Sequence, residues 1–138
     1  MSLSGIRQAL AYHVENLGLE FPLSYPGQEF TPPNTGAYGA VDFVFTQPNA
    51  VTLGKTGEDN HVGYLQLTLN KAAASGDGWF YTVADSVRQQ SQGGQVVTYN
   101  GQSVTIVSCG IGLYDDDDGR LKAAITIYWR ARTTRNLA

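Results

Sequence analysis

An α+β domain is predicted, with a mostly antiparallel mixed β-sheet, two amphipathic helices packed on one face and an extended loop or hairpin. Three features of the sequence carry that expectation. Apolar residues recur at helical spacing in two segments, one near the start and one past the middle. Elsewhere, segments alternate apolar and polar residues as half-buried strands do. The pair Asn100-Gly101 between two such segments is suited to a tight type I′ hairpin turn.

The first helix is expected from about Leu3 to Leu17, because Ile6, Leu10, Val14 and Leu17 fall on one face. Ser2 or Ser4 is a candidate cap, and Gly18 is suited to the left-handed turn that ends a helix. Leu19 to Tyr25 reads as a short extended piece stopped by Pro26-Gly27. Pro32 and Pro33 then make a connector that is neither helix nor central strand. Tyr38 to Phe45 is a strand with Val41, Phe43 and Phe45 on one face and Asp42 on the other.

Ala50 to Asn60 is polar and glycine-bearing, and is expected as a loop or an extruded hairpin tip. The second long strand runs from His61 to Asn70, with Leu65, Leu67 and Leu69 inward and Tyr64, Gln66 and Thr68 outward. Lys71 to Gly78 reads as a linker, with Asp77 positioned to cap a helix from Gly78 to Gln90. Trp79, Val83 and Val87 form its stripe, flanked by Phe80 and Ala84. Val96 to Tyr99 and Ser103 to Ser108 make the hairpin, and Leu121 to Ala131 is a final strand expected to be central. Its odd positions are apolar and its even positions mostly polar, so one sheet face is left exposed or docked on a neighbour.

At 138 residues the chain suits a single domain (1–138), with a tail from about residue 133 expected to be mobile. An apolar share of 42% is enough for a core without staples. The net charge of −3 argues against a dedicated nucleic-acid binder, which would neutralise phosphates with a basic face. A single cysteine, Cys109, permits no intrachain disulfide and suits a reducing compartment. The start, Met1-Ser-Leu-Ser-Gly5, lacks the basic and apolar regions of a signal peptide, and no apolar run has the length of a membrane span.

No reactive constellation emerges, so no enzyme activity and no cofactor is expected. His13 and His61 lack a Cys or carboxylate at metal-ligand spacing, and His13 reads as a half-buried structural residue. No Gly-x-Ser-x-Gly elbow and no phosphate-binding glycine loop is present. Cys109 is expected to end a strand as a structural thiol. Asp115, Asp116, Asp117 and Asp118, followed by Gly119, lack EF-hand spacing and read better as a solvated hairpin loop than as a Ca²⁺ site. Tyr64, Tyr81 and Tyr128 fall off the apolar stripes and Tyr99 lies beside a turn, where aromatic side chains serve protein interfaces or, alternatively, a sugar platform.

Taken in order, several short motifs resemble the tail terminator proteins of long-tailed bacteriophages. They are Ile6-Arg7-x-Ala9-Leu10, Phe30-Thr-Pro-Pro33, Tyr38 opening a strand, Gln47-Pro48 and Thr52-Leu53-Gly54. His61-x-Gly63-x-Leu65-Gln66 and Gly101-x-x-Val104 follow. The resemblance spans about residues 4 to 132 and rests on order and spacing. Departures are Gly39-Ala40-Val41 in place of a bulkier basic pattern, a proline-free linker before the second helix, and the Asp115–Asp118 run.

The resemblance implies a virion structural protein that forms a hexameric ring on the tail tube, stops its polymerisation and presents a surface to the head connector. Its partners would be copies of itself, the tail tube protein and the neck proteins. DNA would pass through without specific binding, and no membrane is involved. A closed head-to-tail ring needs two different patches per subunit. Candidates are the outer sheet residues Tyr64, Gln66, Thr126, Tyr128 and Arg130, and the loop residues Val51, Leu53, Lys55 and Glu58. The Asp115–Asp118 loop is a candidate lumen or surface element. Alternatives are a head-completion protein of the connector and a small sugar- or ligand-binding module.

Overall fold

The computed structural model describes residues 3–28, 30–31, 36–46, 49–50, 58–72, 77–115 and 120–134. Two helices, α1 (Leu3–Glu15) and α2 (Gly78–Gln90), accompany seven strands. These are β1 (Leu23–Ser24), β2 (Tyr38–Phe45), β3 (Asn49–Ala50), β4 (Glu58–Ala72), β5 (Val96–Tyr99), β6 (Gln102–Asp115) and β7 (Arg120–Thr134). They form one sheet in the order β1-β2-β4-β7-β6-β5, with β3 paired to β4 off that path. Only β1 pairs parallel, with β2, and every other pairing is antiparallel. The predicted α+β class with a mostly antiparallel mixed sheet is thus the observed one, and β7 is interior as expected.

The inward side chains of three strands, β2, β4 and β7, meet in rows. Val41 lies opposite Leu67, which lies opposite Ile125, and Leu65 lies opposite Ile127. All of these are buried to within 1% exposure, as are Ile6, Leu10 and Val14 of α1 and Phe80 and Val87 of α2. Both helices therefore close the same face of the sheet over one core. The stripe Ile6, Leu10 and Val14 of α1 is as predicted, but the helix ends at Glu15 and Leu17 is buried just beyond it. Gly18 has φ +70, the left-handed conformation expected beyond the helix. In α2 the buried face is Phe80, Ala84 and Val87, while Trp79 and Val83 are only half-buried. Trp79 sits at the margin, edge-on to Phe21 at 5.3 Å and beneath the Lys71 ammonium at 4.9 Å.

Several boundaries differ from the sequence expectation, and long-range pairing is the reason. β4 begins at Glu58 and continues through Ala72, because β7 offers partners along its whole length, from Glu58↔Thr134 to Ala72↔Arg120. Within the expected loop Ala50 to Asn60, Ala50 and Glu58 to Asn60 are consequently strand. Asn49 and Ala50 pair with Asn60 and Asp59, so a hairpin base stands there, and 51–57 lie outside the described residues. The linker reading of Lys71, and the tail reading of Thr133, give way to paired strand for the same reason. β6 does not stop at Ser108 but runs to Asp115, which puts Cys109 inside a strand rather than at its end. The extended piece after α1 pairs only at Leu23 and Ser24.

Capping also departs from expectation. Asp77 holds the N-cap position of α2 but makes no side-chain capping hydrogen bond. Its backbone is already helical (φ −97, ψ −9). An N-cap carboxylate normally reaches the free amides from an extended backbone. Ser4 lies inside α1 rather than before it, and Ser2 is outside the described residues. The Asn100-Gly101 turn is as predicted, with φ of +51 and +84.

One feature changes which side chains of β6 face the core. The register passes from Ile106↔Trp129 to Ser108↔Tyr128, leaving Val107 as an extra residue in a β-bulge. Before the bulge the even residues Val104 and Ile106 are buried; beyond it Cys109 and Ile111 pack against the core instead. The far edge is tied back by Gly94 N–H donating to Ile106 O (2.8 Å) and Ile106 N–H donating to Gln95 O (2.8 Å).

Candidate functional site

The face of the sheet away from the helices is where the predicted outer-sheet residues fall together. Tyr64 lies directly opposite Tyr128, with ring centroids 6.0 Å apart, and Gln66 lies opposite Thr126. Arg130 lies opposite Val62 on β4 and Thr105 on β6. Strand alternation explains the grouping: all five are even-numbered residues on two adjacent strands paired in register. Tyr128 is 48% exposed while its neighbours Ile127 and Trp129 are buried, so the alternation holds to the single residue.

Beside the tyrosines runs a shallow, mainly apolar groove of about 610 Å³, lined by Thr46, Val62, Tyr64, Val107, Ser108 and Tyr128. Val107 reaches it because the bulge turns it outward, leaving it 50% exposed. Sequence reading missed Val107. The signal was present as a change of phase, from Val104 and Ile106 at even positions to Cys109 and Ile111 at odd ones. The groove adjoins a polar cleft of about 310 Å³ lined by Asn60, Ser103, Thr105, Arg130 and Arg132. Arg132 Nη1 donates to Glu58 Oε2 at 3.4 Å, with both side chains largely solvated. Screening by water makes such a pair worth about 0–1 kcal/mol.

Glu58, placed by the sequence in a loop, therefore stands on β4 next to the arginines. Val51, Leu53 and Lys55 lie outside the described residues, as do Asp116, Asp117 and Asp118. Asp115 is the last residue of β6.

The two histidines are structural. His13 is 6% exposed, more deeply buried than expected, and its Nε2 shares a 2.7 Å hydrogen bond with Ser91 Oγ at the end of α2. Burial pushes its pKa below the ordinary value, which favours the neutral imidazole. His61 lies within β4, not at its start, and shares a 2.7 Å hydrogen bond with Thr133 Oγ1. The half-buried Cys109 thiol is pushed up in pKa by burial, which outweighs the opposing charge of Arg88, so a reactive thiolate is disfavoured. Among the described residues no cluster of three or more His, Cys, Asp or Glu is placed to hold a metal ion. No helix among them is long and apolar enough to cross a membrane.

The arrangement thus offers a contact surface, a tyrosine pair flanked by an apolar groove and two arginines. The family profile described as phage tail terminator protein matches residues 5–129, which takes in the tyrosine pair and the groove but ends before Arg130 and Arg132. The chain belongs to the phage tail terminator family. That is a family of structural proteins of the phage tail, so this chain has a structural role in the virion tail. No curated protein matches it. A solved protein chain, itself without a functional description, is similar in fold with a TM-score of 0.73. It shares 17% identity, over 95% of this chain and 96% of that one, so the likeness is one of fold alone. The expected resemblance to tail terminators is therefore borne out.

Proposed function

We propose that this chain forms a closed ring, six-membered by analogy with the resemblance, that seats on the last ring of the tail tube and stops its growth. The opposite surface of the ring joins the head connector. The observation that carries the reading is the uncovered outer face of the β4–β7–β6 ladder in a member of a tail-terminator family. Tyr128 at 48% exposure and Val107 at 50% stand on that face beside Tyr64, Gln66, Thr126 and Arg130. Exposed apolar surface of this kind, with aromatic and arginine side chains, suits a protein partner.

In this reading the outer sheet face meets a neighbouring subunit, while the segment with Val51, Leu53 and Lys55 reaches the tail tube. The function is binding, with no catalytic step. Asp115 to Asp118 face the channel, where carboxylates give passing DNA no phosphate-binding landscape on which to stall. Electron microscopy of particles lacking the protein tests the reading. Overlong or headless tails are expected; tails of normal length joined to heads would sink it.

A further inference from the structure

A head-to-tail ring requires two unlike patches that fit one another. The outer sheet face is one. The helical layer on the opposite side of the subunit carries a second patch of matching character. On α2, Phe80, Ala84 and Val87 point into the core, and Tyr81 and Asp85 point away from the sheet. Tyr81 is 48% exposed, and Asp85, one helical turn on, is exposed too. Residues four apart on a helix stand about 6 Å apart along its axis. On the outer sheet face the order is an exposed tyrosine, Tyr128, followed two residues on by an exposed arginine, Arg130. A two-residue step along a strand is about 6.7 Å. The two patches thus repeat one spacing with opposite charge. Neither Asp85 nor Arg130 has an ion-pair partner among the described residues.

The floor beside Tyr128 is also low enough for a helix to approach. Ser108 lies opposite Tyr128, and Gly110 lies opposite Thr126. A β-carbon built on Gly110 or Gly112 meets no atom within 4 Å, and neither residue has a positive φ. Nothing within the subunit therefore requires glycine at these two strand positions, where it costs about 0.5–1 kcal/mol relative to a residue with a side chain.

We infer that the occupant of the Tyr64–Tyr128 groove is α2 of a second copy of this chain, with Tyr81 in the groove and Asp85 against Arg130. This rests on the proposed ring and assigns its two contact patches. Because the patches lie on opposite sides of the subunit, the contact is heterologous and propagates from copy to copy.

Charge reversal tests the contact on the purified full chain. The variants are Asp85→Arg, Arg130→Asp and the two combined, with oligomer mass read by analytical ultracentrifugation and fold by thermal melting. Each single variant is expected to melt like the parent and to associate about tenfold more weakly, and the double variant to recover most of the loss. Singles that associate like the parent, or a double variant no better than the worse single, would overturn the inference. So would a parent chain that stays monomeric at its highest soluble concentration.

A second measurement covers variants that fold poorly. In a Cys109→Ser background, Tyr81→Cys with Val107→Cys is expected to give a ladder of oxidised oligomers. Oxidised material that remains monomeric, or stops at dimers, counts against the contact. Normal-length tails from particles lacking the protein would instead remove the ring reading itself, so the two failures are distinguishable.

Discussion

Trp129, the largest fully buried side chain, lies over Gly63, its direct partner on β4. A β-carbon added to Gly63 would stand 2.8 Å from Trp129 Cζ2 and would run into the carbonyl of Val44. Phe45, on the other side of Gly63 in β2, meets the indole edge-on at 5.0 Å. The glycine is therefore a vacancy in the middle strand that two aromatic rings fill from either side. Gly63→Ala is expected to destabilise the fold by about 1–3 kcal/mol, since neither a backbone carbonyl nor a packed indole yields cheaply. Urea unfolding, with an unchanged denaturant slope, checks this.

The neighbouring pair Tyr128 and Trp129 separates surface from core within two residues. Trp129→Ala is expected to cost about 3–5 kcal/mol, because a large buried side chain leaves a cavity. Tyr128→Ala, on the solvated face, is expected to change the stability of the free subunit by less than about 1 kcal/mol. Thermal or urea melts of the two variants decide whether the alternation on β7 is as described.

His13 links stability to pH. Its pKa is lowered by burial from an ordinary value of 6.5, so the unfolded chain binds the proton more readily than the folded one. The contribution is fully present above about pH 6.5 and is lost as the pH falls from there through the lower, folded-state value. Stability is therefore expected to decline with acid in that window, and His13→Gln is expected to remove that part of the slope. Denaturation midpoints measured from pH 7.5 to 5 read the difference.

Gly110→Val should move the other way. Its outward position leaves room for a side chain, and valine suits a strand where glycine does not. The free subunit is expected to gain about 0.5–1 kcal/mol. A rise in melting temperature, read on monomeric protein, supports the open position of Gly110; a fall would show that the strand is packed there.

Arg132→Ala tests the worth of the solvated Glu58 pair. A loss of no more than about 1 kcal/mol is expected, shrinking as salt rises. Melting in low and high salt separates that outcome from a buried, salt-insensitive contact.

Periodicity by itself determined much of this protein: two helices, the buried residues Ile6, Leu10 and Val14 of α1, the Asn100-Gly101 hairpin, and the outward placing of Tyr64, Gln66, Thr126, Tyr128 and Arg130. These depend on local geometry, a period of 3.6 or 2 and a turn needing positive φ, which a few neighbouring residues settle between them. The order of short motifs also carried the family.

What only the tertiary structure decided is everything set by partners distant in sequence. β4 and β7 run to fifteen residues each because each offers the other a complete ladder, well past the points where their own apolar patterns fade. The bulge at Val107 follows from holding Ile106 and Cys109 on the same side of the sheet, and it is what delivers Val107 to the groove. His13 finds Ser91, seventy-eight residues away, only once both helices lie on one face. Strand pairing and burial join segments far apart in the chain, so no window of neighbouring residues holds them.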